Sequence, residues 1–156
     1  GCGKTVMAIN LAMSIARQSE QGVLLVDLDL RKPQIARYLG MQPNAGIGDA
    51  IAGKCTPSEA MLVPDLCDHR LTVLATPNSI PNPTEQIVSS TMRNIMSGLR
   101  KDPRYRVIMF DLPPMLSSDD FLAFLPQVDA ALIVASAGET TVHDIALVCS
   151  LSAAPG

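Results

Sequence analysis

The first residues that could do chemistry are Gly1-Cys2-Gly3-Lys4-Thr5, which stand directly before a predicted helix. They match the second half of a phosphate-binding loop of the form G-x-x-x-x-G-K-[ST]. The glycines let the backbone curl so that N–H groups point at phosphate oxygens, and the helix start adds positive potential. Lys4 offers a charge to the β- and γ-phosphates of ATP, and the Thr5 hydroxyl is a hard oxygen suited to Mg²⁺. Taken alone, this segment does not distinguish a phosphate-binding loop from an ordinary helix that happens to begin with these residue types.

A second candidate group is a pair of acids, Asp27 and Asp29, at the end of the apolar run 23–30. Residues i and i+2 of a strand point to the same face of a sheet, so the spacing predicts two neighbouring carboxylates. Ligands bind at the carboxyl edge of parallel sheets, and two like charges there are costly unless a cation lies between them. The pair favours a cation site beside the phosphate loop over the alternative of two solvated acids.

The third candidate is Asp111, which follows four apolar residues in the segment VIMFD at 107–111. This is the Walker B pattern, in which a strand delivers one carboxylate to the Mg²⁺ shell of a bound nucleotide. The pattern is weak alone. A phosphate loop, then paired acids, then a single acid, each placed at the end of a predicted element, is together a strong indication of nucleotide chemistry.

These three groups need a scaffold that brings distant parts of the chain to one place. The sequence predicts helices over 5–19, 46–54, 58–62, 84–99, 118–126 and 140–152, and strands over 23–30, 71–76, 106–112 and 129–137. Because strands and helices alternate without hairpin signals, we expect an α/β fold with a doubly wound, mostly parallel sheet. The length of 156 residues fits one domain.

Composition narrows the classes of function. With 47% apolar residues and a net charge of −3, the chain is not an intrinsically disordered protein, and no polyanion such as nucleic acid is an expected partner. The four cysteines stand far apart without a C-x-x-C pair, so neither a zinc site nor a disulfide framework is expected. No apolar run approaches the roughly 18 residues that a membrane span needs.

Several segments resemble one family. These are G-x-G-K-T, VLLVDLDLRKP, GIGDAIAGK, LTVLATPNSIPNPTE, VIMFDLPPML and DAALIVASAGET. In this order they look like the bacterial tyrosine kinases, the cytoplasmic kinase domains that accompany capsule and exopolysaccharide synthesis. Those kinases belong to the MinD/ParA group of P-loop ATPases, and the resemblance covers nearly the whole chain. It implies that residues 1–156 are part of a P-loop kinase or ATPase domain, in which one strand would precede Gly1 and another would follow Gly156.

The resemblance also implies a role for each matching residue. The expected ATP-binding residues are Gly1, Cys2, Gly3, Lys4 and Thr5, the expected Mg²⁺ ligands are Thr5, Asp29 and Asp111, and the expected catalytic residues are Lys4, Asp27 and Asp29. Of the paired acids, Asp27 would orient or deprotonate the tyrosine hydroxyl and Asp29 would support the metal. Cys2 departs from the family, because the kinases commonly have Glu at this position and the MinD/ParA proteins a small apolar residue.

The implied function is ATP-dependent phosphorylation of protein tyrosine, with a tyrosine-rich tail of the same protein, beyond Gly156, as the expected acceptor. The implied partners are a membrane polysaccharide co-polymerase or activator and further copies of the same chain, at the cytoplasmic face of the cell membrane. Two other functions stay open from the sequence. One is a MinD/ParA-type ATPase switch for positioning or partition, and the other is a nucleotide-binding domain of a co-polymerase that phosphorylates nothing.

Overall fold

The buried strand predicted after the first helix lies in the middle of the sheet. In the computed structural model, which describes residues 3–65, 70–114 and 124–146, the strands are β1 (Gly22–Asp27), β2 (Met61–Leu62), β3 (Leu71–Leu74) and β4 (Tyr105–Asp111). Their order in the described sheet is β2-β3-β1-β4. β1 pairs in parallel with β3 and with β4, and β2 pairs antiparallel to β3. The sheet is therefore mostly parallel, as predicted.

Helices cover both faces of this sheet. They are α1 (Lys4–Gln18), α2 (Ile35–Tyr38), α3 (Ile47–Ile51), α4 (Pro83–Val88) and α5 (Ser90–Arg100). Because successive side chains of a strand point to opposite faces, Val23 and Leu25 of β1 pack in one apolar cluster with α1 and α2. Leu24 and Val26 pack in a second cluster with α3 and α5. All four of these β1 side chains are fully buried, so the prediction of a doubly wound sheet is confirmed.

The helix predicted over 84–99 is two helices. α4 begins at Pro83, after Asn82, and ends before Ser89, whose backbone is extended. The Ser89 hydroxyl accepts a hydrogen bond from the Met92 backbone N–H at 3.0 Å and so caps the start of α5. Serine is among the preferred residues at this position because its oxygen satisfies an amide that has no partner within the helix.

Two predicted elements are wrong. Residues 58–60 form a turn, and Met61 and Leu62 pair with β3 as an edge strand instead of continuing a helix. Residues 129–137 form no strand, although their sequence is strongly apolar. Residues 129–134 line, together with α1 and β4, an apolar groove of about 770 Å³. A strand is stable only where an adjacent strand edge can take its hydrogen bonds, and no described strand pairs with these residues.

Two further predictions fall partly outside the described residues. Of the helix predicted over 118–126, residues 118–123 are outside them, and a single 3₁₀ turn follows at Leu125–Gln127. Of the helix predicted over 140–152, residues 142–146 are helical and 147–152 are outside the described residues.

Gly46 provides a test of this fold. A Cβ atom added to Gly46 would lie 2.3 Å from the Ala75 carbonyl oxygen and 2.4 Å from Cδ of Pro77, whereas one added to Gly98 within α5 would meet no atom within 4 Å. We therefore expect Gly46→Ala to lower the free energy of unfolding by about 1–3 kcal/mol through overpacking. Gly98→Ala should raise it by up to about 1 kcal/mol through helix propensity. Urea unfolding of the two variants measures both, and equal effects would contradict the packing of α3 against the end of β3.

Candidate functional site

The start of α1 and the ends of β1 and β4 meet at the carboxyl edge of the sheet. Thr5, in the first turn of α1, donates a hydrogen bond from its hydroxyl to Oδ2 of Asp111 at 2.6 Å, although the two residues are 106 positions apart. Asp111 ends β4 directly beside Asp27, its registered partner on β1. The structure therefore brings Thr5 of the predicted phosphate loop, Asp27 and Asp111 to one edge of the sheet.

The described part of the phosphate loop has the backbone of an anion cradle. Gly3 is in the left-handed region (φ 76°, ψ 18°), immediately before α1, and no atom lies within 4 Å of the position of its missing Cβ. A glycine takes this conformation without steric cost, and the space beside it is open for a ligand. α1 is 15 residues long, and the first N–H groups of such a helix have no partner within it, which makes its start favourable for an anion. Gly1 and Cys2 lie outside the described residues.

The Asp27 carboxylate is fully buried and organises the chain that follows β1. Its Oδ1 accepts the Asp29 N–H at 3.2 Å, and its Oδ2 accepts the N–H groups of Gln34 and Ile35, both at 3.1 Å. These bonds fold residues 28–35 back onto the end of β1 and place the start of α2. A buried carboxylate with three amide donors is a constrained group, whose position follows from the backbone around it.

Asp29 is half-buried and is held in a different way. Its Oδ1 accepts the Lys32 N–H at 3.0 Å. The charge of Asp29 raises the pKa of Asp111, so the two carboxylates lie close enough to interact electrostatically. Of the paired acids, Asp29 is thus the one with access to solvent.

Burial dominates the electrostatics of the site. It raises the pKa of Asp27 to about 7, against the hydrogen bonds from Ile35, Asp29 and Gln34, and the nearby charge of Asp111 raises it further. Burial also raises the pKa of Asp111, while the Thr5 hydroxyl and the Lys4 ammonium act in the opposite direction. Carboxyls that resist ionisation in this way gain from a nearby cation, because an added positive charge stabilises the ionised forms.

The oxygens at this edge fit magnesium. The Thr5 hydroxyl and the Asp29 and Asp111 carboxylates are hard ligands, and Mg²⁺ is usually bound by one or two carboxylates together with water and phosphate oxygens. Within the described ranges, no group of three or more His, Cys, Asp or Glu side chains is arranged as a complete metal site. The residues present therefore fit a metal whose remaining ligands come from a nucleotide and water.

Sequence reasoning missed the groups that hold the acids in place. The amides of Gln34 and Ile35 and the Thr76 hydroxyl, which donates to the Asp27 carbonyl oxygen at 2.7 Å, were not among the candidates. The bond from the Asp29 amide to the Asp27 side chain had a signal, because aspartates often accept the amide two residues on. The Gln34 and Ile35 amides carry no such signal, since any residue type can supply a backbone N–H.

The segments 27–33 and 75–85 contact each other directly. The Ile80 N–H donates to the Leu30 carbonyl oxygen at 2.8 Å, and the Arg31 guanidinium donates to the Thr84 hydroxyl at 3.3 Å. The segment that contains Asn82, Pro83 and Glu85 thus lies against the segment of the paired acids.

In the described part of the chain, no helix is both long and apolar enough to cross a membrane.

The raised pKa of Asp27 predicts how stability depends on pH. Between about pH 4 and pH 7 the folded protein holds a proton at Asp27 that the unfolded chain, with a pKa of 3.8, has released. The free energy of unfolding should therefore fall as the pH rises through this window, when measured by urea unfolding with a metal chelator present. Asp27→Asn should make the dependence flatter.

Asp102→Asn is the matched control for this pH experiment. The hydrogen bond from Arg104 lowers the pKa of Asp102, so the contribution of Asp102 to stability changes only below this pH window. The slope of the free energy of unfolding between pH 4 and 7 should therefore be the same in Asp102→Asn as in the parent. Parallel curves for the parent protein and Asp27→Asn would contradict the raised pKa of the buried Asp27 carboxyl.

Comparison with known proteins shows which sequences and folds the chain is similar to. The chain is 30% identical over 140 residues to tyrosine-protein kinase YwqD of Bacillus subtilis (strain 168), a match that covers 90% of the chain and 57% of the relative. Its structure is similar to the crystal structure of the VpsO kinase domain, with a TM-score of 0.87 and 31% identity over 97% of this chain and 73% of that one. The kinase domain of Escherichia coli tyrosine kinase ETK matches with a TM-score of 0.87 and 27% identity, over 97% of this chain and 57% of that one. The resemblance to bacterial tyrosine kinases is thereby confirmed, and the chain spans little more than half the length of YwqD.

A family model covers almost the whole sequence. The ParA model, described as NUBPL iron-transfer P-loop NTPase, matches residues 1–154. This range contains the phosphate loop, the paired acids and Asp111, which the fold brings to one edge. The chain belongs to the ParA family of P-loop NTPases.

Proposed function

We propose that the protein transfers the γ-phosphoryl group of magnesium-bound ATP to a tyrosine hydroxyl of a protein. The observation that carries this proposal is the pair Asp27 and Asp29 beside the Thr5–Asp111 hydrogen bond, in a chain similar to bacterial tyrosine kinases. Phosphoryl transfer requires positioning and charge neutralisation more than covalent chemistry by the protein. An edge that combines amide donors, one ammonium and several carboxylates provides both.

Each residue of the site has a distinct part in this proposal. Gly1, Cys2 and Gly3 are assigned to binding of the phosphates, and Lys4 neutralises charge on the group that is transferred. Thr5, Asp29 and Asp111 hold the magnesium ion, which supplies charge stabilisation to the phosphate oxygens when it is bound. The hydrogen bond that Thr5 already makes to Asp111 fixes these two ligands relative to each other.

Asp27 is proposed as the group that orients the acceptor hydroxyl and takes its proton. Its pKa of about 7 is close to the value at which a general base works best near neutral pH. The three amide bonds use three of the roughly four acceptor positions of a carboxylate, which leaves Oδ1 able to accept one more hydrogen bond. Because Asp27 is fully buried, the acceptor must reach it through a shift of residues 28–34.

We further propose that the acceptor tyrosine belongs to the same protein and that a membrane polysaccharide co-polymerase activates the kinase at the inner face of the cell membrane, in a homo-oligomer. A ParA-type ATPase switch is the second candidate function, and the match of the ParA model to residues 1–154 favours it. The two functions differ in the fate of the phosphoryl group, which goes to tyrosine in one and to water in the other.

Lys4→Ala tests the nucleotide site. Removing a charged donor that faces the phosphates should weaken Mg-ATP binding about 10- to 100-fold, measured by calorimetry with a non-hydrolysable analogue. Lys101→Ala is the matched control, because Lys101 is exposed at the end of α5, away from the carboxyl edge. If both variants bind the analogue as the parent does, the phosphate-loop assignment fails.

The paired acids are tested by Asp27→Asn and Asp29→Asn, with a Glu/Tyr copolymer as acceptor. Asp27→Asn should keep Mg-ATP binding and lose about 10²- to 10⁴-fold in phosphotransfer, as expected for a general base. Asp29→Asn should weaken the Mg²⁺ dependence of nucleotide binding as well. Asp49→Asn is the matched control, since the Asp49 carboxylate also accepts a backbone N–H, from Gly46, but within α3 and its cap.

The same assay separates the two candidate functions. Phosphotyrosine on the copolymer, lost in Asp27→Asn, supports the kinase. Release of inorganic phosphate without any phosphotyrosine supports the ATPase switch. Equal loss of nucleotide binding in both acid variants would refute the division of roles between Asp27 and Asp29 while keeping the site.

A further inference from the structure

One peptide group at the site is held from both sides. The carbonyl oxygen of Asp27 accepts a hydrogen bond from the Thr76 hydroxyl at 2.7 Å. The N–H of the same peptide, on Leu28, donates to the Asp111 carbonyl oxygen at 2.8 Å. The peptide between the two acids of the pair is thus clamped between the chain that follows β3 and the end of β4.

These two hydrogen bonds connect β1 with its neighbours beyond the last paired residues of the strands. The register of β1 with β3 ends at Val26 and Leu74, whereas β1 and β4 are paired as far as Asp27 and Asp111. Thr76 lies two residues beyond the last paired residue of β3, and its side chain reaches back to Asp27. Both Thr76, which is 2% exposed, and Asp27 are buried, so water does not compete for this bond.

The clamped peptide determines where both acids point. Rotation of this peptide would displace the Asp27 carboxylate from the amides of Gln34 and Ile35, and it would also move the backbone that carries Asp29. On the opposite side, Asp111 makes two bonds. Its carbonyl oxygen accepts the Leu28 N–H, and its carboxylate accepts the Thr5 hydroxyl. A single chain of bonds therefore connects Thr76, the paired acids and the phosphate loop.

We propose that Thr76 is a positioning residue, whose hydroxyl fixes the Asp27–Leu28 peptide so that Asp29 and Asp111 face one magnesium ion. This inference rests on the proposed magnesium–nucleotide site, but it does not require that the phosphoryl acceptor be tyrosine. Thr76 acts through the backbone and touches neither nucleotide nor metal.

Thr76→Val is the central test, because valine keeps the branched shape and removes only the hydroxyl. Leaving the buried Asp27 carbonyl without this donor should weaken binding of a non-hydrolysable ATP analogue about tenfold in the presence of Mg²⁺. Binding of the same analogue in a chelator should stay within about twofold, since the phosphate loop is unchanged. Thr76→Ser, which keeps the hydroxyl, should restore the magnesium effect.

Thr72→Val is the matched control. Thr72 lies on β3 opposite Leu24, half-buried and away from the carboxyl edge, so this change should leave magnesium-dependent binding as in the parent. A second readout needs no ligand, because amide hydrogen exchange at Leu28, Gln34 and Ile35 should accelerate in Thr76→Val and stay as in the parent in Thr72→Val. If Thr76→Val does not fold, Thr76→Cys, a weaker donor of similar size, should give an intermediate loss.

The proposal is overturned if Thr76→Val binds the magnesium complex as tightly as the parent, or if binding falls equally with and without Mg²⁺. Failure of the kinase proposal would give a different result, because the parent would then bind the magnesium complex of the nucleotide but phosphorylate no tyrosine. If the parent shows no magnesium-dependent nucleotide binding, the positioning role of Thr76 falls together with the site.

Discussion

Burial of the Asp27 carboxyl at the end of β1 is the constraint on which the rest of the site depends. The side chain has no exposed surface, and a carboxyl in that position is tolerated only where donors surround it. The amides of Asp29, Gln34 and Ile35 are those donors, and recruiting them determines the path of the chain from β1 to α2. The same path places Asp29 near enough to Asp111 for its charge to raise the pKa of the Asp111 carboxyl, so the arrangement of the site follows from satisfying one buried acid.

The fold could be predicted because its signals are local and strong. The run 23–30 is apolar on both faces of the strand, which indicates a strand covered by helices on each side, and β1 is buried in that way. The carboxyl edge could be predicted from topology, since parallel strands all end there, and so Thr5, Asp27, Asp29 and Asp111 were expected to meet. The strand ends at Asp27 and not at residue 30, because the Asp27 side chain bonds to the amides that follow and bends the chain.

The elements that sequence could not predict depend on distant partners. The segment 129–137 has the composition of a buried strand, but pairing requires a neighbouring strand edge, and composition does not report whether one is present. Residues 61–62 form a strand only because the edge of β3 is open to them. Thr76 gave no signal either, because a threonine after a strand is common and its importance arises from the Asp27 carbonyl, 49 residues away.

The charges of the site connect its architecture with the reaction proposed for it. Burial raises the pKa of both Asp27 and Asp111, and the ammonium of Lys4 acts in the opposite direction on Asp111. Asp27 and Asp111 are therefore held in position by hydrogen bonds, while burial makes the ionisation of these two carboxyls unfavourable. Under the proposed function, a magnesium ion held by Asp29 and Asp111 would lower the cost of ionising Asp111, and the phosphates of the nucleotide would place negative charge near Lys4 and the helix start. The hydrogen-bonded frame of Asp27, Leu28 and Asp111 would then hold the acids in place before the cation binds.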